Sequence, residues 1–395
     1  MNFKFFKHNL VFIYLFGLIL NISLSNIISF NSSISEFNFL LKEISLADLC
    51  ILIFGLILFK EVYKKIFFLI NSFFFKNFIF ILVSGLIGII ISFFQDTDKI
   101  VNIFFLITFY LNIIKIFLGF IIFLILSDKY NYISNERFLI FITIILITTC
   151  FFNFFINGHI SRFYYPFTTK TIGYNLIGLV MGVLFFSIIN YYNIYRERKY
   201  LLFLLFLVFL IVLFSFSKTA IISLILTFLF YHLIFIKYVD KKFLYLNIIF
   251  FIILIISLDI LKSFFDINSF SFLDIIQDPI SWFDNYGSFY YRIDHVWLSN
   301  FDKNLNIYSF LFGEGIYSPK THDSLYFTII SRFGFVGLYF FFKLVLNFYK
   351  LFRKSSHNIL SYVLIFGITT EMFIQSNVVN PLILILFYND WKLSK

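Results

Sequence analysis

Apolar residues in this chain come in long unbroken runs, neither alternating with polar ones nor confined to one helical face. Runs of roughly 17–25 residues follow one another from end to end, the length an α-helix needs to cross about 30 Å of hydrocarbon with its backbone groups satisfied internally. They predict helices at 8–25, 44–60, 77–95, 101–126, 137–156, 173–192, 199–214, 219–237, 243–262, 324–349, 358–375 and 378–391. The expected fold is an all-α polytopic membrane protein with about twelve transmembrane helices. Helices one to nine occupy residues 1–262, one large extracytoplasmic loop occupies about 263–322, and helices ten to twelve occupy 323–395.

Composition agrees with that pattern. Of 395 residues, 61% are hydrophobic and 13% charged, which excludes a water-soluble globule. The formal charge of +10 does not call for nucleic acid, because its distribution follows the positive-inside rule. With the N-terminus inside, the inner segments hold nineteen Lys and Arg, including Lys60, Lys64, Lys65, Lys129, Arg198, Lys199 and Lys350, against nine on the longer outer segments. Both termini are therefore expected on the cytoplasmic side. Cys50 and Cys150 fall inside predicted spans and read as apolar fillers. The N-terminal run lacks a small-residue cleavage signal and reads as a retained first span. No GxxxxGK[ST], HExxH, GxSxG or Cys/His cluster is present, so neither a metal nor a cofactor is implied.

Candidate chemistry concentrates in the sixty residues from Ser263 to His322, since a long loop in a compact membrane protein usually has a task. Its acids and bases alternate with Trp282, Tyr286, Tyr290, Tyr291, Trp297, Tyr308 and Tyr317. Flat aromatic faces beside hydrogen-bonding groups suit sugar rings, with Trp282, Tyr291 and Trp297 as candidates; aromatic residues also mark membrane interfaces. Cations are scarce on the outer side, so Arg162, Lys170, Lys218, Arg292 and Lys320 are candidates to converge on an anionic diphosphate, with lipid head groups as the bland alternative. His322 and His295 each adjoin a carboxylate, Asp323 and Asp294, and an imidazole so placed can take a proton from a sugar hydroxyl. Within the spans, Glu371 and Arg332 are costly to bury and so functional or paired by default. Lys115 and Lys343 read as able to snorkel toward span ends.

Four stretches resemble the superfamily of O-antigen polymerases (Wzy) and O-antigen ligases. GEGIYSPKTHDSLYFTIISRFGFVGLYFFF, from Gly313, is similar to the family's loop end followed by a span with G-x-x-G. SFSKTA (Ser215 to Ala220) is similar to its Ser-x-Ser-Arg turn, YYRIDHVW to its loop arginine preceding a Trp, and TIGYNLIG (Thr171 to Gly178) to its Asn-bearing span start. The matches cover mainly residues 160–350. Lys218 stands where the family usually has Arg, keeping the charge without the bidentate fork; His322 is twelve residues before Gly334, and Asp323 has the family spacing. The resemblance implies a metal-independent glycosyltransferase in the bacterial inner membrane that joins undecaprenyl-diphosphate-linked oligosaccharides into surface polysaccharide. It implies Arg292 and Lys218 as diphosphate binders, Arg162 as a further contact, and His322 or Asp323 as the group activating the acceptor. A chain-length regulator is a candidate partner. The alternatives are an O-antigen ligase with a lipid A-core acceptor and, in a different class, a polysaccharide flippase.

Overall fold

The computed structural model describes residues 3–19, 46–70, 72–95, 103–130, 135–156, 170–194, 198–215, 217–235, 307–313, 324–351, 357–368 and 379–393. Among these residues the chain is all-α, without a strand. The helices are α1 (Phe3–Ile19), α2 (Leu46–Ile57), α3 (Phe59–Ile70), α4 (Phe73–Gln95), α5 (Ile103–Tyr130), α6 (Asn135–Ile156) and α7 (Lys170–Ile194). They continue as α8 (Tyr200–Phe214), α9 (Lys218–Phe235), α10 (Ile307–Phe312), α11 (Leu325–Leu351), α12 (His357–Phe366) and α13 (Val379–Leu393). Eleven of the twelve predicted runs fall on these helices; the ninth, 243–262, lies outside the described residues.

A helix that is apolar all round sits among other helices or against lipid, and α7 takes the first course. Its stretch Asn175–Tyr192 is 89% buried under α6, α8, α9, α12 and α13. At one end of this group the Asn190 and Asn358 side-chain amides bond each other reciprocally at 3.1 and 2.9 Å. The same end carries the pairs Lys65–Asp128 at 2.9 Å, Lys129–Glu61 at 3.0 Å and Arg198–Glu136. We refer to it as the lysine-rich end. Two stretches among the described residues, Asn175–Tyr192 and Leu325–Lys350, are long and apolar enough to cross a membrane; six shorter apolar helices accompany them.

Two features depart from the sequence expectations. Lys115 does not reach a span end: it sits in the interior of α5 and pairs with Asp48, in the first turn of α2, at 3.1 Å. The α5 positions flanking it are too many, about 18 Å of helix on one side and 22 Å on the other, for a lysine side chain to escape.

The second departure is in the loop 263–322 and the helix that follows it. Residues 307–312 form the short helix α10, packed against both α4 and α11. Facing it, α11 breaks at Gly334, whose φ of 63° and ψ of −171° belong to glycine alone. A Cβ there would lie 2.2 Å from the Leu311 carbonyl oxygen. The break leaves the Phe333 carbonyl open to the buried Ser84 hydroxyl of α4, which donates to it at 2.7 Å. Gly313, with φ 80°, lies against the Arg332–Phe333 backbone. Helix α11 is thus kinked by tertiary contact with the returning loop rather than by a proline.

Candidate functional site

The end opposite the lysine-rich one is built from three helix starts and one helix finish. At the turn between α8 and α9, the Ser215 hydroxyl donates to the Val212 carbonyl at 2.6 Å and accepts the Ser217 N–H at 3.3 Å. Ser217 caps α9 by accepting the Ala220 N–H at 3.3 Å, satisfying one of the N–H groups a helix start leaves open. Its hydroxyl proton goes to the Asn175 side-chain carbonyl of α7, at 2.8 Å. This bond joins SFSKTA to TIGYNLIG, two of the four stretches that carried the family resemblance.

The approach is backbone-close. A Cβ on Gly178 would lie 2.5 Å from the Ala220 Cβ, so any side chain there would push α9 away. Lys170 is the first residue of α7 and Lys218 the first of α9, and neither helix has an acid in its first turn. A lysine at a helix start sits against the positive end of the macrodipole. The start of α9 is bonded to the second turn of α7, about 7.5 Å along the helix from Lys170, so the positive ends of both helices lie at this end of the bundle, where they favour an anion. The side chains of Lys170 and Lys218 lie outside the described residues; their helix positions do not.

Helix α12 ties a third start to this pair. The Tyr362 hydroxyl donates to the Gly178 carbonyl at 2.8 Å, its ring filling the space over Gly182. Five residues on, the Gly367 carbonyl accepts the Leu325 N–H of α11 at 2.8 Å, and the Tyr326 hydroxyl donates to Leu364 at 3.0 Å. The residues immediately ahead of Ser324 in the chain, His322 and Asp323, therefore lead into α11 at the end where α7 and α9 begin. His322 and Asp323 themselves, with Arg162, Trp282, Tyr291, Arg292 and Trp297, lie outside the described residues, as does Glu371.

Three residues gain meaning from the structure. Asn175 and Ser217 were visible only as parts of short motifs; the hydrogen bond between them is what joins the two helix starts. Thr328 gave no signal in the sequence. Ser324, Thr328 and Arg332 recur every four residues on one side of α11 and are 1%, 2% and 2% exposed, forming a buried polar line that runs from the helix start to the break at Gly334. The Thr328 Oγ1 has no hydrogen-bond partner among the described residues. Among the described residues there is no cluster of three or more His, Cys, Asp or Glu.

Comparison with protein-family models, with curated proteins and with solved structures finds no match to this chain.

Proposed function

We propose that the chain is a multi-pass enzyme of the bacterial inner membrane that joins undecaprenyl-diphosphate-linked oligosaccharide repeat units into O-antigen, capsule or a related surface polysaccharide. The observation that carries the reading is the Ser217–Asn175 hydrogen bond. It ties the lysine-initiated start of α9 to the second turn of α7, itself lysine-initiated, at the end where the chain enters α11 from His322 and Asp323.

Twelve spans with both termini inside belong to the same proposal. Support comes from helix lengths of 23, 28 and 22 residues in α4, α5 and α6, and from the cross-helix bonds. Glu61 with Lys129, Glu136 with Arg198 and Asn190 with Asn358 each join positions that the charge bias puts inside; Asn175 with Ser217 joins positions it puts outside.

In the reaction, an acceptor hydroxyl oxygen forms a bond to the donor's anomeric carbon while the bond from that carbon to the diphosphate oxygen breaks. His322 or Asp323 takes the hydroxyl proton. Arg292 and Lys218, assisted by Lys170, Arg162 and the two helix starts, stabilise the charge that grows on the departing undecaprenyl diphosphate. Trp282, Tyr291 and Trp297 offer ring faces to the sugars.

The test is surface glycan examined by gel after Arg292→Ala or Lys218→Ala replacement in the native host, with membrane insertion verified. A polymerase loses the long-chain ladder and keeps single capped units. Loss of both identifies a ligase, and repeat units stranded on the inner leaflet identify a flippase. Unchanged long chains in both variants would sink the assignment. Comparison of His322→Ala with Asp323→Ala identifies the base, because only one of the two abolishes turnover.

A further inference from the structure

The lysine-rich end holds a second charged feature that the proposed reaction does not use. Helices α2 and α3 are nearly one rod, carried through residue 58 by the Leu58 N–H to Phe54 carbonyl bond at 2.9 Å and the Val62 N–H to Leu58 carbonyl bond at 2.8 Å. Phe54, Leu58 and Val62 are buried on one side of it. The other side is exposed along its length and changes character partway. Over α2 it presents Leu52, Ile53, Leu56 and Ile57, all apolar. From Phe59 onward it presents aromatic residues and lysines together: Phe59, Lys60, Tyr63, Lys64 and Phe67, the three aromatics 63–64% exposed. That succession is what a helix passing from hydrocarbon into a head-group layer presents, with aromatic rings at the boundary and cations just beyond.

The remaining charges of this corner are already engaged. Glu61 accepts from Lys129 at 3.0 Å and Asp128 from Lys65 at 2.9 Å, two pairs that fix α3 to the end of α5. Neither Lys60 nor Lys64 makes an ion pair within 4.0 Å among the described residues, although Lys64, after Lys129, contributes to the field that lowers the Glu61 pKa. They are four positions apart on one helical face, close enough that two like charges repel. A single anion lying between them relieves that repulsion. Tyr63, beside them, supplies a ring for the glycerol level of a lipid.

We infer that Lys60, Tyr63 and Lys64 form a binding site for the phosphate of an anionic phospholipid in the inner leaflet. The site rests on the membrane reading alone and is independent of the glycan chemistry at the opposite end.

The experiment uses the full chain purified in detergent, titrated with phosphatidylglycerol or phosphatidylcholine and followed by native mass spectrometry. The wild type takes its first phosphatidylglycerol more tightly than phosphatidylcholine. K60Q/K64Q weakens phosphatidylglycerol binding by about 30-fold, from roughly 1 kcal/mol per lysine near an anionic surface, and leaves phosphatidylcholine unchanged. K60R/K64R retains the preference. The control K199Q/K350Q removes two exposed lysines from the same end, matches the charge change and leaves binding unaltered. Equal loss in both doubles would show a whole-surface charge effect, and no loss in K60Q/K64Q would remove the site; either overturns the inference. So would full competition by millimolar inorganic phosphate, which would mean that the anion need not be a lipid. A chain that stays in solution without detergent would instead defeat the membrane reading itself.

Discussion

The pair between Asp48 and Lys115 gives the sharpest test of how the helices are held. The two charges are 3.1 Å apart with side chains 13% and 25% exposed. Their attraction is about 5 kcal/mol at an effective dielectric of 20. Desolvating each ion costs several kcal/mol, so the intact pair adds little net stability. Removing one partner is different, because a lone charge is left in an apolar surrounding at a cost of about 3–5 kcal/mol. The two sides are not equivalent. Asp48 lies in the first turn of α2, where the helix dipole favours an anion, whereas Lys115 sits in mid-helix with no such help. Asp48→Leu is therefore more damaging than Lys115→Met. The double variant, which replaces the pair by apolar side chains, recovers most of the loss. Thermal unfolding of detergent-purified protein, followed by tryptophan fluorescence, should show the single variants lowered by about 5 °C or more and the double within about 2 °C of wild type. Additive losses in the double, or neutral singles, would refute the pair as a structural bond.

Two further outcomes follow from local geometry. Gly334→Ala places a Cβ 2.2 Å from a backbone oxygen at a φ of 63°. It should abolish recovery of monodisperse protein in size-exclusion chromatography, while Gly55→Ala, whose nearest neighbour is 3.7 Å away, should raise stability by about 0.5–1 kcal/mol as a helix-interior Gly→Ala change. The Lys129 ammonium, hydrogen-bonded to Glu61, holds that carboxyl below its ordinary value of 4.5. A depressed carboxyl contributes stability that is complete above its unfolded value and disappears as pH falls through its folded one. The small melting difference between wild type and Glu61→Gln should therefore be constant from neutral pH to about 5 and vanish on acidification below 4.5.

The helices were legible because their signal is local: a run of apolar residues long enough to cross a membrane needs no knowledge of its neighbours. What was not legible depends on partners far along the chain. The kink at Gly334 requires the returning Leu311–Gly313 backbone beside it, and the sequence RFGFVG reads as an ordinary helix without that contact. Helix α10, IYSFLF, is too short to show a period. Lys115 looked able to escape because nothing in its own run announces Asp48. At the candidate site the stretches SFSKTA and TIGYNLIG stood out in the sequence as separate motifs. The sequence did not show that Ser217 and Asn175 bond to each other, since a serine and an asparagine in separate motifs carry no mark of being partners.

The two ends of the bundle are held by different chemistry, and the difference bears on where the proposed reaction belongs. At the lysine-rich end the described contacts use polar and charged side chains against one another: Glu61 with Lys129, Lys65 with Asp128, Glu136 with Arg198, Asn190 with Asn358. Those groups are spent on holding helices together. At the opposite end the joints are tyrosine hydroxyls and an amide N–H on main-chain carbonyls, Tyr362 on Gly178, Tyr326 on Leu364 and Leu325 on Gly367, together with one serine–asparagine bond. These four joints use no ionisable side chain except the phenols. A frame tied by carbonyls can position helix starts rigidly without drawing on charged groups, which is what the proposed transfer from a diphosphate would require. The same logic predicts which substitutions separate folding from function. Tyr362→Phe, which removes the hydroxyl's bond to the Gly178 carbonyl, should lower thermal stability by about 1 kcal/mol. Lys218→Ala should leave thermal stability close to wild type and remove activity. If Lys218→Ala instead melts the protein as much as Tyr362→Phe does, the lysine is part of the frame and the anion site lies elsewhere.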